Sequence, residues 1–239
     1  MRTINTSVSF ETRPQWRAPL SGLEGTLRRF AYLRSDFGVA NNVTLQVRGA
    51  VQQQLAIDAT ASQPIAGFPV SGTTHDAGDF SVAALIRLLT DKEQKTALGF
   101  HVETKLPNTT QSKGIGPNTT DIYLSLLASR KIKSGLVFGD LGIGILTAPR
   151  NLDEQNDVLS YGLGGSIDLS RSLKVAAEIN GYLTTRNVIP LGTEARGLAR
   201  AGVSWRLGAF NLEAALAHGL TANEGAWGGS VGLARRFKF

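Results

Sequence analysis

Alternate residues of LKVAAEINGYL, positions 173–183, divide between two faces. Leu173, Val175, Ala177, Ile179 and Leu183 fall on one, and Lys174, Glu178, Asn180 and Tyr182 on the other. A repeat of two is the signature of an extended strand. The same division runs through ARGLARAGVSWRL, where Ala199, Ala201, Val203, Trp205 and Leu207 oppose Arg196, Arg200, Ser204 and Arg206. In NVTLQVRGAVQQQL, Val43, Leu45, Val47 and Val51 oppose Thr44, Gln46, Arg48, Gln52 and Gln54. In LGFHVETKL, Leu98, Phe100, Val102 and Leu106 oppose His101, Glu103 and Lys105. Helical periodicity is nearly absent. Twelve strands are predicted, at about 3–12, 26–35, 42–56, 79–90, 95–106, 120–130, 135–147, 158–169, 173–184, 195–207, 210–220 and 227–239.

Strands with one apolar and one polar face suit two architectures. A soluble sandwich turns the apolar face inward, and a transmembrane barrel turns it outward. The connections separate them. Long stretches at about 13–25, 57–78, 107–119, 148–157 and 185–194 follow strands one, three, five, seven and nine. Short links such as TDKEQ, KIKSG, SRS and GA follow the even-numbered strands, and TANEGA after the eleventh is intermediate. In an up-and-down meander all long connections then share one rim and all tight turns the other, which is the asymmetry of outer-membrane barrels. An even number of strands puts both termini on the tight-turn rim, and tilted strands of about ten residues cross a bilayer.

Charge placement supports the same choice. Alternation points Arg48, Arg87, Lys105, Lys174, Arg196, Arg200, Arg206, Arg236 and Lys238 inward, together with Asp79, Glu103, Asp121, Asp140, Asp168, Glu178 and Glu213. So many charges are far too costly for a dry interior, whereas a water-filled lumen hydrates them and lets opposite signs pair. The expected fold is all-β: one up-and-down antiparallel transmembrane barrel of about twelve strands occupying residues 1–239.

The remaining composition is mainly exclusive. The chain has no cysteine, which removes disulfides, thiolate zinc sites and a cysteine nucleophile. Its net charge of +6 is scattered rather than clustered, so nucleic acid is not an expected partner. No apolar run approaches the ~20 residues of a transmembrane helix. The opening MRTINTSVSF carries no apolar signal region, so an export signal is expected to have been removed.

The end of the chain, VGLARRFKF, places Phe237 and Phe239 on the apolar face of the closing strand. A final phenylalanine after alternating apolar residues resembles the signal that the barrel-assembly machinery reads on bacterial outer-membrane proteins. Trp205 and Phe210, which flank a short turn, are expected in the same aromatic girdle. Arg235 departs from the pattern, pointing toward lipid near the interface, where a basic residue costs only ~0–1 kcal/mol.

A longer segment, ALGFHVETKLPNTTQSKGIGPNTTDIYLSLLASRK, resembles the core of the meta-pathway phenol-degradation, or transporter, family of outer-membrane proteins. Lys105, Leu106, Pro107, Gly114, Gly116 and Asp121 carry the match, with Glu178 and Arg200 further on, and the similarity runs from about residue 25 to the end. The resemblance implies passage of small solutes, aromatic or hydrocarbon-derived compounds among them, across a bacterial outer membrane. The expected surroundings are outer-membrane lipid and lipopolysaccharide.

Catalytic and cofactor motifs are weak. His75, His101 and His218 form no metal-ligand spacing, and no cofactor or metal is expected. A barrel-embedded hydrolase would need a serine on the outer face beside a histidine, whereas alternation turns His101 inward beside Glu103. The glycines of GDLGIGIL and YGLGGS lack the strand–loop–helix context of a nucleotide site. The residues expected to line the lumen and set selectivity are Arg48, His101, Glu103, Lys105, Asp140, Glu178, Arg196, Arg200 and Glu213. The competing classes are a non-conducting structural barrel, a barrel-embedded hydrolase and a soluble β-barrel binding protein.

Overall fold

The computed structural model describes residues 3–60, 67–149 and 154–238. Its strands are β1 (Thr3–Arg17), β2 (Glu24–Ala40), β3 (Val43–Ala59), β4 (Thr73–Asp76), β5 (Ser81–Thr90), β6 (Thr96–Lys105), β7 (Asp121–Ile132), β8 (Gly135–Thr147), β9 (Gln155–Asp168), β10 (Leu173–Thr184), β11 (Arg196–Leu207), β12 (Phe210–Gly219) and β13 (Trp227–Lys238). Each barrel strand pairs antiparallel with its neighbours, β13 returns to β1, and the β2–β3 pairing closes the ring. Twelve strands make the barrel. The thirteenth, β4, is a four-residue extension that pairs with the far half of β3, above the stretch that pairs with β5.

The apolar face is outside. Leu126, Leu163 and Leu216 are 66%, 59% and 63% exposed, while Glu103 on the other face is 5% exposed. A chain folding in water would bury the leucines, so this inside-out distribution identifies lipid as the surrounding solvent. Closure pairs each of the twelve barrel strands with a neighbour on both sides, which hydrocarbon requires because it offers no hydrogen-bond partners.

Local sequence sets the tight-turn rim. The β11–β12 hairpin turns on Gly208 and Ala209, and Gly208 takes a φ of +62°, which glycine adopts without a Cβ clash. Trp205, Phe210 and Phe237 stand exposed at this rim. Arg235 is held between the last two, its guanidinium carbon 5.1 Å from the Phe210 ring centroid and 4.8 Å from that of Phe237. The misfit at Arg235 is thereby covered by two aromatic faces. Phe239 lies outside the described residues.

Several boundaries differ from expectation. Residues 13–17, expected in the first long loop, continue β1, and Glu24 and Gly25 already belong to β2, leaving only 18–23 as connection. Pro14 is tolerated because the ladder is broken by a bulge between Arg13 and Trp16, with Gln15 at a φ of +55°. β3 extends to Ala59, β4 sits within the expected 57–78 loop, and β9 begins at Gln155, inside the expected 148–157 loop.

The alternation also changes phase on three adjacent strands. Arg29 and Arg34 both line the lumen although they are five positions apart, an odd spacing. Ala31, with a φ of +48°, is the extra residue that brings them to one face. On β3, Val51 and Gln52 are both exposed, and Gln53 and Leu55 are buried. Gln54, expected on the face of Arg48, instead pairs with Arg28 and His75. The consequence is a small apolar core: Trp16, Leu27 and Leu55 turn inward and pack with Ala18, Leu23 and Ile115 from two long connections.

Turning the leucines to lipid predicts a sharp contrast. Leu126→Arg, at the middle of β7, lowers stability in bilayers by ~2–4 kcal/mol. Gln46→Arg, on the lumen side, leaves it within about 0.5 kcal/mol. Urea unfolding in lipid vesicles measures both.

Candidate functional site: the charged lumen

A cavity of about 980 Å³ runs through the barrel interior. Its lining begins at the tight-turn rim with Asn41, Asn42, Lys95 and Lys131 and ends toward the long connections at Arg13, Arg196 and Glu224. Beyond that level sits the apolar core, with Trp16 under the Arg196 guanidinium at 5.4 Å. The long connections tie this cap together. Ser21 Oγ donates to the Gly114 carbonyl at 2.6 Å, Thr74 Oγ1 to that of Lys113 at 2.9 Å, and Gln111 Nε2 to that of Pro149 at 3.0 Å. Asn156, fully buried, donates to both the carbonyl and hydroxyl of Thr193.

Most of the charges expected in the lumen are there, and most are paired. Arg48 donates to both oxygens of Glu103, at 2.6 and 2.5 Å, and His101 Nε2 lies 3.7 Å from the same carboxylate. Lys105 meets Asp121 at 2.7 Å and Asp79 at 3.6 Å. Arg200 meets Glu178 at 3.3 Å across the β10–β11 ladder, where the two are direct partners. Arg196 bonds Glu224 at 3.1 Å and also donates to the Arg17 carbonyl at 2.8 Å. Asp140 lines the cavity without an ion pair among the described residues. It packs against Gly162, where any side chain would collide with its carboxylate. Glu213 is half-buried on β12 opposite Ser204 and joins none of these pairs.

Lys174, Arg206, Arg236 and Lys238 gather instead near the tight-turn rim; Arg206, Arg236 and Lys238 are exposed, and Lys174 pairs with Asp168 at 3.5 Å.

Alternation alone did not reveal Arg13, Arg29 and Arg34, which line the same cavity. Arg13 pairs with Glu224, Arg29 with Glu11 at 3.3 Å, and Arg34 with Asp36 at 3.7 Å. A readable signal existed in LRRFAYLR. Its two halves alternate correctly only if one residue between them is skipped, which is what the bulge at Ala31 does.

Two of the pairs are asymmetric toward water, whereas Arg13–Glu224, Arg196–Glu224 and Arg200–Glu178 are nearly even. In the Arg48–Glu103 pair the guanidinium side chain is 43% exposed and the carboxylate 7%, and Arg34 is likewise more open than Asp36. In these two pairs the acid sits low on the wall and the longer arginine reaches into the lumen. His101 directly opposes Ser125 across the β6–β7 ladder, but no hydrogen bond joins them among the described residues.

With this geometry in place, comparison with known proteins is informative about the fold. The chain is similar to the NanC porin, with a TM-score of 0.62 at 9% identity over 98% of this chain and all of the other. It is also similar to the translocator domain of the autotransporter NalP from Neisseria meningitidis, with a TM-score of 0.53 at 16% identity over 99% of this chain and 88% of the other. The fold is an outer-membrane β-barrel. No family model and no curated protein matches the sequence. The likeness to the phenol-degradation family thus rests on the residues quoted for it above.

Burial of Glu103 beneath Arg48 predicts unequal costs for the two neutral substitutions. Arg48→Gln strands a buried carboxylate and destabilises the barrel by about 2–3 kcal/mol. Glu103→Gln leaves a guanidinium that lumen water hydrates and costs less than about 1 kcal/mol. Vesicle-based unfolding of the two variants side by side gives the comparison.

Proposed function

We propose that this barrel passes small solutes across a bacterial outer membrane through its lumen, by passive or facilitated diffusion and without chemistry on the solute. The observation that carries the reading is the charged cavity of about 980 Å³, continuous from the tight-turn rim to the level of Arg13. A space of this size, walled by hydrated ions, is a pathway rather than a packed core. Residence in the outer membrane follows from the fold, and the long connections would face outward, as they do in barrels of this class. Aromatic and hydrocarbon-derived compounds are the solutes that the family resemblance implies. Arg48, His101, Glu103, Lys105, Asp140, Glu178, Arg196, Arg200 and Glu213 would act as a selectivity lining.

The cap favours a second reading. Trp16, Leu27, Leu55 and Ile115 fill the interior at the long-connection end, and a barrel that kept this core permanently would not conduct. On the transport reading the cap is a constriction that solutes displace, its residues Ala18, Leu23 and Ile115 carried by connections while Trp16, Leu27 and Leu55 stay on paired strands.

Planar-bilayer recording separates the two. The transport reading predicts discrete conductance steps, enlarged by the double substitution Trp16→Ala, Ile115→Ala. Arg200→Ala shifts ion selectivity toward cations and Glu178→Ala toward anions, as measured by reversal potential. Absence of conductance in both the unmodified protein and the double variant establishes the non-conducting barrel.

A further inference from the structure

The upper lumen, just beneath the cap, has two chemically different walls. On one side stand Arg13, Arg29 and Arg48, from β1, β2 and β3, flanked by Arg196 and Arg200 of β11. On the other stand Tyr123 of β7 and Tyr182 of β10. In a closed ring of twelve strands, β7–β10 lie across the axis from β1–β3. The walls are at one level because they are joined on both sides. Glu103, the partner of Arg48, is the ladder partner of Tyr123, and Arg196 is the ladder partner of Tyr182.

The arginine wall carries a charge in excess. Arg13, Arg29, Arg196 and Arg200 share three carboxylates, Glu11, Glu178 and Glu224. Arg29 and Arg200 are both near enough for their like charges to act on Arg13. Like charges in a confined lumen favour a further anion, and guanidinium presents the planar donor fork that fits a carboxylate. Opposite, the Tyr123 and Tyr182 rings lie 6.4 Å apart. Such a surface takes a flat apolar body. Asp140, an acid on this side, sits four ladder positions nearer the tight-turn rim than Gly144, the partner of Tyr123, and two nearer than Gly142, which reaches Tyr182 through Ser160. Arg87, Lys95 and Lys131 stand at the open mouth, where they draw anions inward.

We propose that this chamber is a binding site for a small aromatic carboxylate, its carboxylate on the Arg13–Arg29–Arg200 side and its ring on the Tyr123–Tyr182 side. The proposal deepens the transport reading, and rests on it for the route by which the ligand arrives, but binding is measurable without a membrane.

The test is ligand-observed NMR on the folded barrel in detergent, with benzoate, benzamide and acetate as probes. Benzoate binds saturably, and benzamide, which keeps the ring and loses the charge, binds about tenfold more weakly. Acetate, which keeps the charge and loses the ring, is also weaker by about tenfold. Arg200→Gln, checked for folding by heat-modifiable gel mobility, loses the preference of benzoate over benzamide. The comparison of the three probes on the unmodified protein stands even if that variant does not fold. Equal binding of benzoate and benzamide, or no saturable binding of benzoate, overturns the proposal whether or not the barrel conducts. Saturable benzoate binding in a barrel that shows no conductance overturns the transport reading and leaves the site.

Discussion

The cost of placing ions away from water governs this molecule. Arg13, Arg29, Arg48, Arg196 and Arg200 face the interior, and no hydrophobic gain from one small barrel could offset their burial in a dry core. Water in the lumen and carboxylates in the wall remove the problem together. Glu103, Glu178, Glu224 and Glu11 each hold a guanidinium, and hydration supplies what pairing leaves unmet. Once the interior is wet and polar, the apolar residues have only the outside, and the outside must be lipid. Strand closure, the aromatic rim and the exposed leucines follow from that inversion.

Within the inverted plan the cap is a local return to ordinary globular packing. It exists because β1, β2 and β3 each shift phase, at Gln15, Ala31 and Val51–Gln52. Below the shifts these strands present Arg13, Arg34 and Arg48 to the lumen, and above them Arg29 together with Trp16, Leu27 and Leu55. The same irregularities therefore build both the cationic wall and the lid over it. Arg196 joins the two, stacked on Trp16 and bonded to Glu224.

Much of this was legible in the sequence where strands are regular. β8 and β10 match their predicted spans, and the Glu178–Arg200 partnership follows from alternation once β10 and β11 are neighbours. Register is strongly specified there because a slip by one residue would turn every charge to lipid. The first three strands were harder. An alanine with positive φ has no compositional mark, and a bulge reverses every inference drawn beyond it, as Gln54 illustrates. Arg29 and Arg34 cannot both be placed inside by strict alternation, so an arginine wall built on a bulge escapes any reading that assumes unbroken strands. Charge exposure was not legible either. Which member of a pair reaches water depends on side-chain length and depth in the wall, as with Arg48 over Glu103.

The most direct measurement is a cysteine scan of β2, made clean by the absence of native cysteine. A nitroxide is placed in turn at positions 29 to 36, and its collision rates with oxygen and with a water-soluble nickel complex are compared in lipid vesicles. The inside-out barrel with a phase shift predicts nickel access at 29, 32, 34 and 36 and oxygen access at 30, 33 and 35, with the break in alternation at Ala31. Unbroken alternation through 31 would contradict the shift and the arginine wall, and nickel access at every position would contradict the barrel in a membrane.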